Sequence, residues 1–304
     1  MERLSVKTSG TGGSRGLARQ AVFAMAVSMF FFGATSAAQG KIVGVCKFDT
    51  TTLKFAGSPT VQASCLLRKV SEWAHVAHQP ADLPDALSRY VGAPVSIDDG
   101  KLRSLLANAG VSEVLADLNK PVSHGSDGDL NASEARYFVI HDTSAPLLAG
   151  PAFPSDIDTS PKINALSHFA TANSPAHVFI DRSGKILVGH DFSVPWRATK
   201  LESKVVGTDA KGLFLHVESV QPRIPDPKGK AGNDAIAPVP GLSDAQYEKL
   251  ALIYILASRR AGTWLIPAFH AAIDDGITDG HDDPQNFELS KFCDKLEALR
   301  AQLK

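Results

Sequence analysis

Arg136-Tyr-Phe-Val-Ile-His-Asp-Thr-Ser144 is a short apolar run that ends in a histidine followed by three small polar residues. Aromatic and β-branched side chains pack well on a pleated surface, so Tyr137 to Ile140 read as a buried strand. A histidine at the end of such a strand is held in place, which is what a metal ligand needs. Taken alone, His141 suits a strand-end histidine bonded to a loop carbonyl just as well, because a single imidazole defines no coordination sphere. Ser144 beside His141 and Asp142 does not make a serine triad: sequence neighbours do not adopt the relay geometry, and no nucleophile-elbow glycines flank the serine.

Downstream of this stretch, strand and helix signals alternate. A Pro-rich loop (Pro146, Pro151, Pro154) leads to a helix signal, with Ser160 as N-cap, Pro161 at the first position and Ile163, Leu166 and Ala170 as the inner face. His177-Val-Phe-Ile-Asp181 and Ile186-Leu-Val188 flank Arg182-Ser-Gly-Lys185, a hairpin signature. Leu213 to Val220 is a further strand, and the proline- and glycine-rich residues 222–241 form an irregular surface loop. Ser243-Asp-Ala-Gln246 is a capping box before the stripe Tyr247, Leu250, Ala251 and Tyr254; the last helix carries Phe292, Leu296, Leu299 and Leu303 on one face. The pattern predicts an α/β fold over 131–304: a mixed central β-sheet flanked by helices.

Upstream, residues 39–130 read as a smaller, mainly helical N-terminal region. Leu66, Val70, Trp73 and Ala77 recur at helical spacing; Leu102, Leu105, Leu106 and Ala109 form a second pattern that stops at Gly110; Ser112 opens a third with Val114, Leu115 and Leu118. Ser123-His-Gly-Ser-Asp-Gly-Asp129 has the composition of a flexible linker. Before all of this, Arg3, Lys7, Arg15 and Arg19 precede the apolar run Ala21–Phe32 and the small residues Gly33 to Ala38. That order is the pattern of a secretory signal peptide over 1–38, cleaved near Ala37 or Ala38. The apolar run falls short of the roughly 20 residues a spanning helix needs, which leaves an uncleaved anchor as the second reading, and no stable membrane insertion is expected after cleavage. Export implies an oxidising compartment, periplasmic or extracellular, and the cysteines suit it. Cys46 and Cys65 are expected to form a disulfide, and Cys293, in an amphipathic helix, to stay a buried free thiol.

With 304 residues and a net charge of -1, the chain can bury a full core and offers no electrostatic case for nucleic acid or an anionic membrane surface. Nothing in the sequence signals an oligomeric state.

Six short stretches then give His141 its company. Ile140-His141-Asp-Thr-Ser, His177-Val-Phe-Ile-Asp-Arg-Ser-Gly, Val217-Glu218-Ser-Val-Gln-Pro222, Gln246-Tyr247, Phe269-His270 and Asp282-Asp283-Pro284 follow one another in the order of one family. Over roughly residues 135–303 the chain resembles the zinc-dependent N-acetylmuramoyl-L-alanine amidases of the bacterial amidase and peptidoglycan-recognition type. The resemblance implies a Zn2+ held by His141, His270 and Asp283, with Asp282 or His281 as alternative third ligands. Two imidazoles and a carboxylate with an open fourth position make a sound catalytic zinc set. By the same resemblance Glu218 is the general base, His281 the oxyanion-stabilising group, and His177, Trp196 and Arg197 line the substrate groove. Two departures bear on substrate contacts: His216 stands where the family usually has glycine, and Trp196-Arg197 where many relatives have Trp-His.

The implied function is hydrolysis of the amide between N-acetylmuramic acid and L-alanine in peptidoglycan or muropeptides. Two alternatives stay open at this point: a non-catalytic peptidoglycan-binding module, and a secreted antibacterial toxin with the same chemistry.

Overall fold

The computed structural model describes residues 40–71, 75–170, 174–226, 228 and 235–304. The expected signal peptide and Trp73 lie outside them. Three two-residue strands, β1 (Ile42–Val43), β2 (Phe48–Asp49) and β3 (Lys54–Phe55), form a small antiparallel sheet that nothing in the sequence signals. Helices α1 (Pro59–Leu66), α2 (Asp85–Tyr90) and α3 (Asp99–Asn108) follow.

The central sheet is built from β4 (Tyr137–Asp142), β5 (Val178–Ile180), β6 (Ile186–Val188), β7 (Phe214–Ser219) and a later strand, β10 (Ile266–Phe269). Its order is β10-β4-β7-β5-β6. All neighbours are parallel except the β5–β6 hairpin. Central β4 is buried along its whole length, as a parallel strand covered on both faces must be. Between β7 and β10 come a short pair, β8 (Ile224–Pro225) and β9 (Ala235–Ile236), and helix α4 (Asp244–Ala261). Helix α4 starts on the expected capping box, with Ser243 Oγ accepting from the Gln246 N–H and Gln246 Oε1 accepting from the Ser243 N–H, and ends on Gly262 in the left-handed region. After β10 come α5 (His270–Asp274) and α6 (Leu289–Gln302), and α6 packs on α4. The result is the mixed α/β architecture expected, a mixed sheet flanked by helices. Among the described residues no helix is long and apolar enough to cross a membrane.

Residues 40–304 form one compact unit, and packing crosses the expected boundary at residue 130. The Phe55 ring meets Tyr137 edge-on at 5.2 Å, and Tyr137 stacks on Phe214 at 4.9 Å. The Tyr137 hydroxyl accepts from the Phe55 N–H and donates to Gln62 Oε1. The stretch 123–129 is docked rather than loose: Ser123 is buried, donates its N–H to the Phe192 carbonyl and its hydroxyl to the Gly212 carbonyl. A Cβ on Gly212, whose φ is +98°, would sit 1.9 Å from the His124 carbonyl oxygen, so only glycine fits this crossing. The Cys46–Cys65 disulfide is present and Cys293 is a buried free thiol.

Three expected helices do not form as drawn, each because side chains take over backbone partners. Helix α1 ends at Leu66, where Arg68 Nε bonds the Cys65 carbonyl, and Val70 instead bridges antiparallel to Val76. Around 112–118 the chain makes turns; Arg260 takes the Leu115, Lys120 and Pro121 carbonyls. In 160–170 only a single 3-10 turn, Leu166–Phe169, appears. There Asn164 donates from its amide to the Ile157 and Ser160 carbonyls and accepts the Arg182 N–H, which ties the segment into turns.

Candidate metal centre

Three parallel strands, β10, β4 and β7, deliver their C-terminal ends to one edge of the sheet, the edge where open α/β sheets place ligands. His141 stands near the end of β4, Glu218 is its direct register partner in β7, and His270 follows the last residue of β10. Asp283 comes from the loop before α6, where its carbonyl accepts the Ala271 N–H and its Oδ2 accepts the Asp142 N–H.

The three buried side chains His141, His270 and Asp283 offer ligand atoms to a common point. His141 Nδ1 lies 2.9 Å from His270 Nδ1 and 3.4 Å from Asp283 Oδ2, and His270 Nδ1 lies 3.2 Å from the same oxygen. Two ligands at about 2.0–2.1 Å from a tetrahedral zinc stand ~3.3 Å apart, so these edges are close to those of a zinc set.

Both imidazoles turn the same nitrogen inward and have the other one held. His270 Nε2 is 3.0 Å from Asp274 Oδ2, and Asp274 itself accepts the Lys200 and Leu201 N–H groups. His141 Nε2 is 3.0 Å from His216 Nδ1. Such outer partners fix which nitrogen carries the proton and orient the ring.

Burial and mutual charge set the protonation states. Burial, with the neighbouring His270 charge, brings His141 down to about 3, so it is neutral. Burial opposes ionisation of Asp283, yet the adjacent His270 holds it well below the usual carboxylate range. Burial likewise opposes the charge on His270, which Asp283 and Asp274 nonetheless raise. Glu218 is pushed well above its ordinary value by burial and by the charges of Asp283 and Asp142. Its Oε1 is 3.9 Å from His141 Nδ1, and its Oε2 is buried with no hydrogen-bond partner among the described residues. A proton-hungry carboxylate thus borders a three-donor cluster.

His281 sits at the rim, about half exposed, its ring stacked on His270 at 4.4 Å and its Nδ1 3.7 Å from Asp283 Oδ1. Asp282 is turned to the Gln285 amide and does not join the donor atoms. His177 does not line a groove: it is fully buried, its Nδ1 accepts the His216 N–H and its Nε2 bonds the Val194 carbonyl. A ring with both nitrogens spent on backbone has none left for a substrate. Trp196 is partly exposed, donates to the Pro175 carbonyl and packs at 4.1 Å on His190. Neither it nor the half-buried Arg197 is tied to the donor cluster by a hydrogen bond or ion pair.

Several residues of the site were not foreseen. Asp142 accepts Arg223 Nη2 on both oxygens (2.8 and 2.9 Å), the Ser144 N–H and the Gln285 N–H, and so joins the end of β4 to the loop carrying Asp283. Burial pushes Asp142 up to about 6 against the opposing Arg223 charge. Asp274, four residues after His270, had a spacing signal on a short helix; Glu202 and Arg223 had none.

The fold and site together define a mixed α/β protein with a buried His-His-Asp cluster at the C-terminal edge of its parallel strands. No family model and no curated protein matches the chain. Among solved structures, the solution structure of AmpD from Citrobacter freundii is similar at 16% identity and a TM-score of 0.31, over 62% of this chain and 95% of that one. A likeness so slight carries no argument about function.

Proposed function

We propose that this chain is a zinc-dependent N-acetylmuramoyl-L-alanine amidase, acting on peptidoglycan or soluble muropeptides. The observation that carries it is the convergence of His141 Nδ1, His270 Nδ1 and an Asp283 oxygen beside the unpartnered Oε2 of Glu218. The donor set has the composition of a catalytic zinc site, and its near-tetrahedral edges and held outer nitrogens fit that ion. The same residues occupy the matching positions of the amidase motifs in the sequence. When bound, zinc would supply Lewis acidity to the carbonyl of the scissile amide.

The remaining chemistry falls to the chain itself. Hydrolysis adds one water across the amide, which requires a proton to leave that water and another to reach the leaving amine. Glu218 can take the first and return it to the L-alanine nitrogen, since burial and two neighbouring carboxylates raise its proton affinity. To His281, at the rim 3.7 Å from Asp283, we assign donation to the carbonyl oxygen as charge develops there. Export accompanies this function in our proposal: residues 1–38 carry the pattern of a signal peptide, and an exported enzyme meets peptidoglycan outside the cytoplasm.

The test is to digest purified sacculi and soluble muropeptides with wild type, His270→Ala and Glu218→Ala while assaying bound zinc. Wild type should hold zinc and release new L-alanine amino termini, His270→Ala should lose both, and Glu218→Ala should keep zinc without activity. A zinc-loaded wild type that releases no L-alanine termini from either substrate rules the amidase out.

A further inference from the structure

We propose that His216 is a positioning residue for the ligand His141, with Glu202 anchoring it from behind. This rests on the metal-centre assignment above. The amidase motifs usually carry glycine at this position, so the device belongs to this chain's own sequence.

The argument is one of tautomers. If the Nδ1 lone pair of His141 faces the donor cluster, its proton is on Nε2, and that nitrogen meets His216 Nδ1 at 3.0 Å. His216 Nδ1 must then accept, which puts its own proton on Nε2. That nitrogen faces Glu202 Oε2 at 3.3 Å, an acceptor. The His141–His216 link then has one donor and one acceptor with both imidazoles neutral, while His216 Nε2 and Glu202 Oε2 make a close polar contact that falls short of hydrogen-bond alignment. In the reverse orientation, His216 would turn a lone pair towards Glu202 Oε2, an oxygen that already accepts from Ala198 and Thr199, and His141 would have to present an N–H to the cluster. The contact with Glu202 Oε2 therefore favours the orientation that leaves His141 Nδ1 free.

The surroundings keep the chain of contacts in register. His141, His216 and Glu202 are all buried, so water has no ready place to substitute for a missing partner. Glu202 Oε2 is fixed by the Ala198 N–H, the Thr199 N–H and the Thr199 hydroxyl. His216 lies two residues before Glu218 on the same face of β7. Its ring stacks on His177 at 5.7 Å, and the His177 ring accepts its backbone N–H. The two imidazoles are thus supported differently: His270 by the Asp274 carboxylate directly, His141 by a second imidazole that rests against the buried side chain of Glu202.

Positioning and mere packing make opposite predictions for two variants. His216→Asn places an amide oxygen where Nδ1 was and keeps the acceptor, at a loss of volume. His216→Leu keeps most of the volume and removes the acceptor. The experiment titrates Zn2+ against a chromophoric chelator with full-length wild type, both variants and Glu202→Gln, alongside the melting temperature of each zinc-free protein. We expect His216→Leu to bind zinc about 10–100-fold more weakly than wild type, the usual cost of losing an outer partner, and His216→Asn to recover most of that loss. Glu202→Gln should fall between them.

If His216→Leu does not fold, His216→Gln replaces it, because its amide reaches the Nε2 position and leaves His141 without its acceptor. Zinc affinity in that variant equal to wild type, or in His216→Asn no better than in His216→Leu, overturns the inference. A wild type that binds no zinc overturns the metal centre itself, so the two failures are distinct.

Discussion

His141 and Glu218 are direct partners across the parallel register of β4 and β7, and their side chains meet with His141 Nδ1 3.9 Å from Glu218 Oε1. A proposed metal ligand and a carboxylate outside the donor triad are thereby set side by side by backbone pairing alone. Glu218→Gln is nearly isosteric and removes only the capacity to carry a proton. It should lower kcat by roughly 10²–10⁴-fold, the range for a general acid–base group, while zinc content stays at the wild-type level. Measuring kcat and bound zinc on the same samples decides it; loss of zinc in Glu218→Gln would make the glutamate part of the ligand set.

Asp274 supports His270 from four residues along the short helix α5, with 3.0 Å between its Oδ2 and His270 Nε2, and is itself pinned by two backbone N–H groups of residues 200 and 201. Asp274→Asn keeps the shape but takes away the negative charge that makes the imidazole a better donor. Zinc affinity should fall by about 10–100-fold, measured by chelator competition. Unchanged affinity would mean that ring orientation by the protein backbone suffices.

The disulfide reaches the same region by another path. Arg68 is buried beside it, bonding the Cys65 carbonyl and Asp275 Oδ2 (2.8 Å), while the Val45 N–H bonds the Asp275 carbonyl. Cys46 and Cys65 close a loop of 19 residues' separation, worth about 3 kcal/mol on the chain-entropy model. Cys46→Ala/Cys65→Ala should therefore lower the urea unfolding free energy by about that much. Because Asp275 adjoins Asp274, the zinc affinity of the folded variant should also drop; a purely local disulfide would leave it unchanged.

How much of this was legible in the chain depends on how local each determinant is. The buried strand Tyr137–Ile140, the capping box at Ser243 and the hairpin around Gly184 are written in neighbouring residues, and each forms. His141, His270 and Asp283 come from distant segments but stand next to a strand end or a proline, so their motif positions could be matched one by one. Nothing local marks the pairings of Asp142 with Arg223 or of His216 with Glu202, since each partner is ordinary in its own segment. The helix signal at 160–170 was misleading for the same reason. Asn164 spends its amide on local carbonyls and on Arg182, a partner 18 residues away that periodicity cannot register. His177 sits in the right motif yet is consumed by the His216 and Val194 backbone, a fate only the fold decides.

Away from the site, Arg260 and Asp191 give the fold an acid-sensitive tie. Arg260 Nη2 is 2.7 Å from Asp191 Oδ1, and Arg260 also holds the Leu115, Lys120 and Pro121 carbonyls. Burial alone would raise Asp191, but hydrogen bonds from Arg260 and Ser193 and the guanidinium charge outweigh it and bring the carboxyl down to about 2. The unfolded chain titrates near ~3.9, so folding favours the ionised form and the unfolded state binds more protons between these values. The stabilisation is fully present above the unfolded value and is lost as pH falls through the folded one. Asp191→Asn should accordingly show a lower urea midpoint than wild type at pH 7, with the gap narrowing as pH drops from about 4 towards 2. Other carboxylates titrate in both proteins and cancel in the difference. A gap that stays constant across this window would mean that the charge on Asp191 contributes nothing and that only its hydrogen bonds matter.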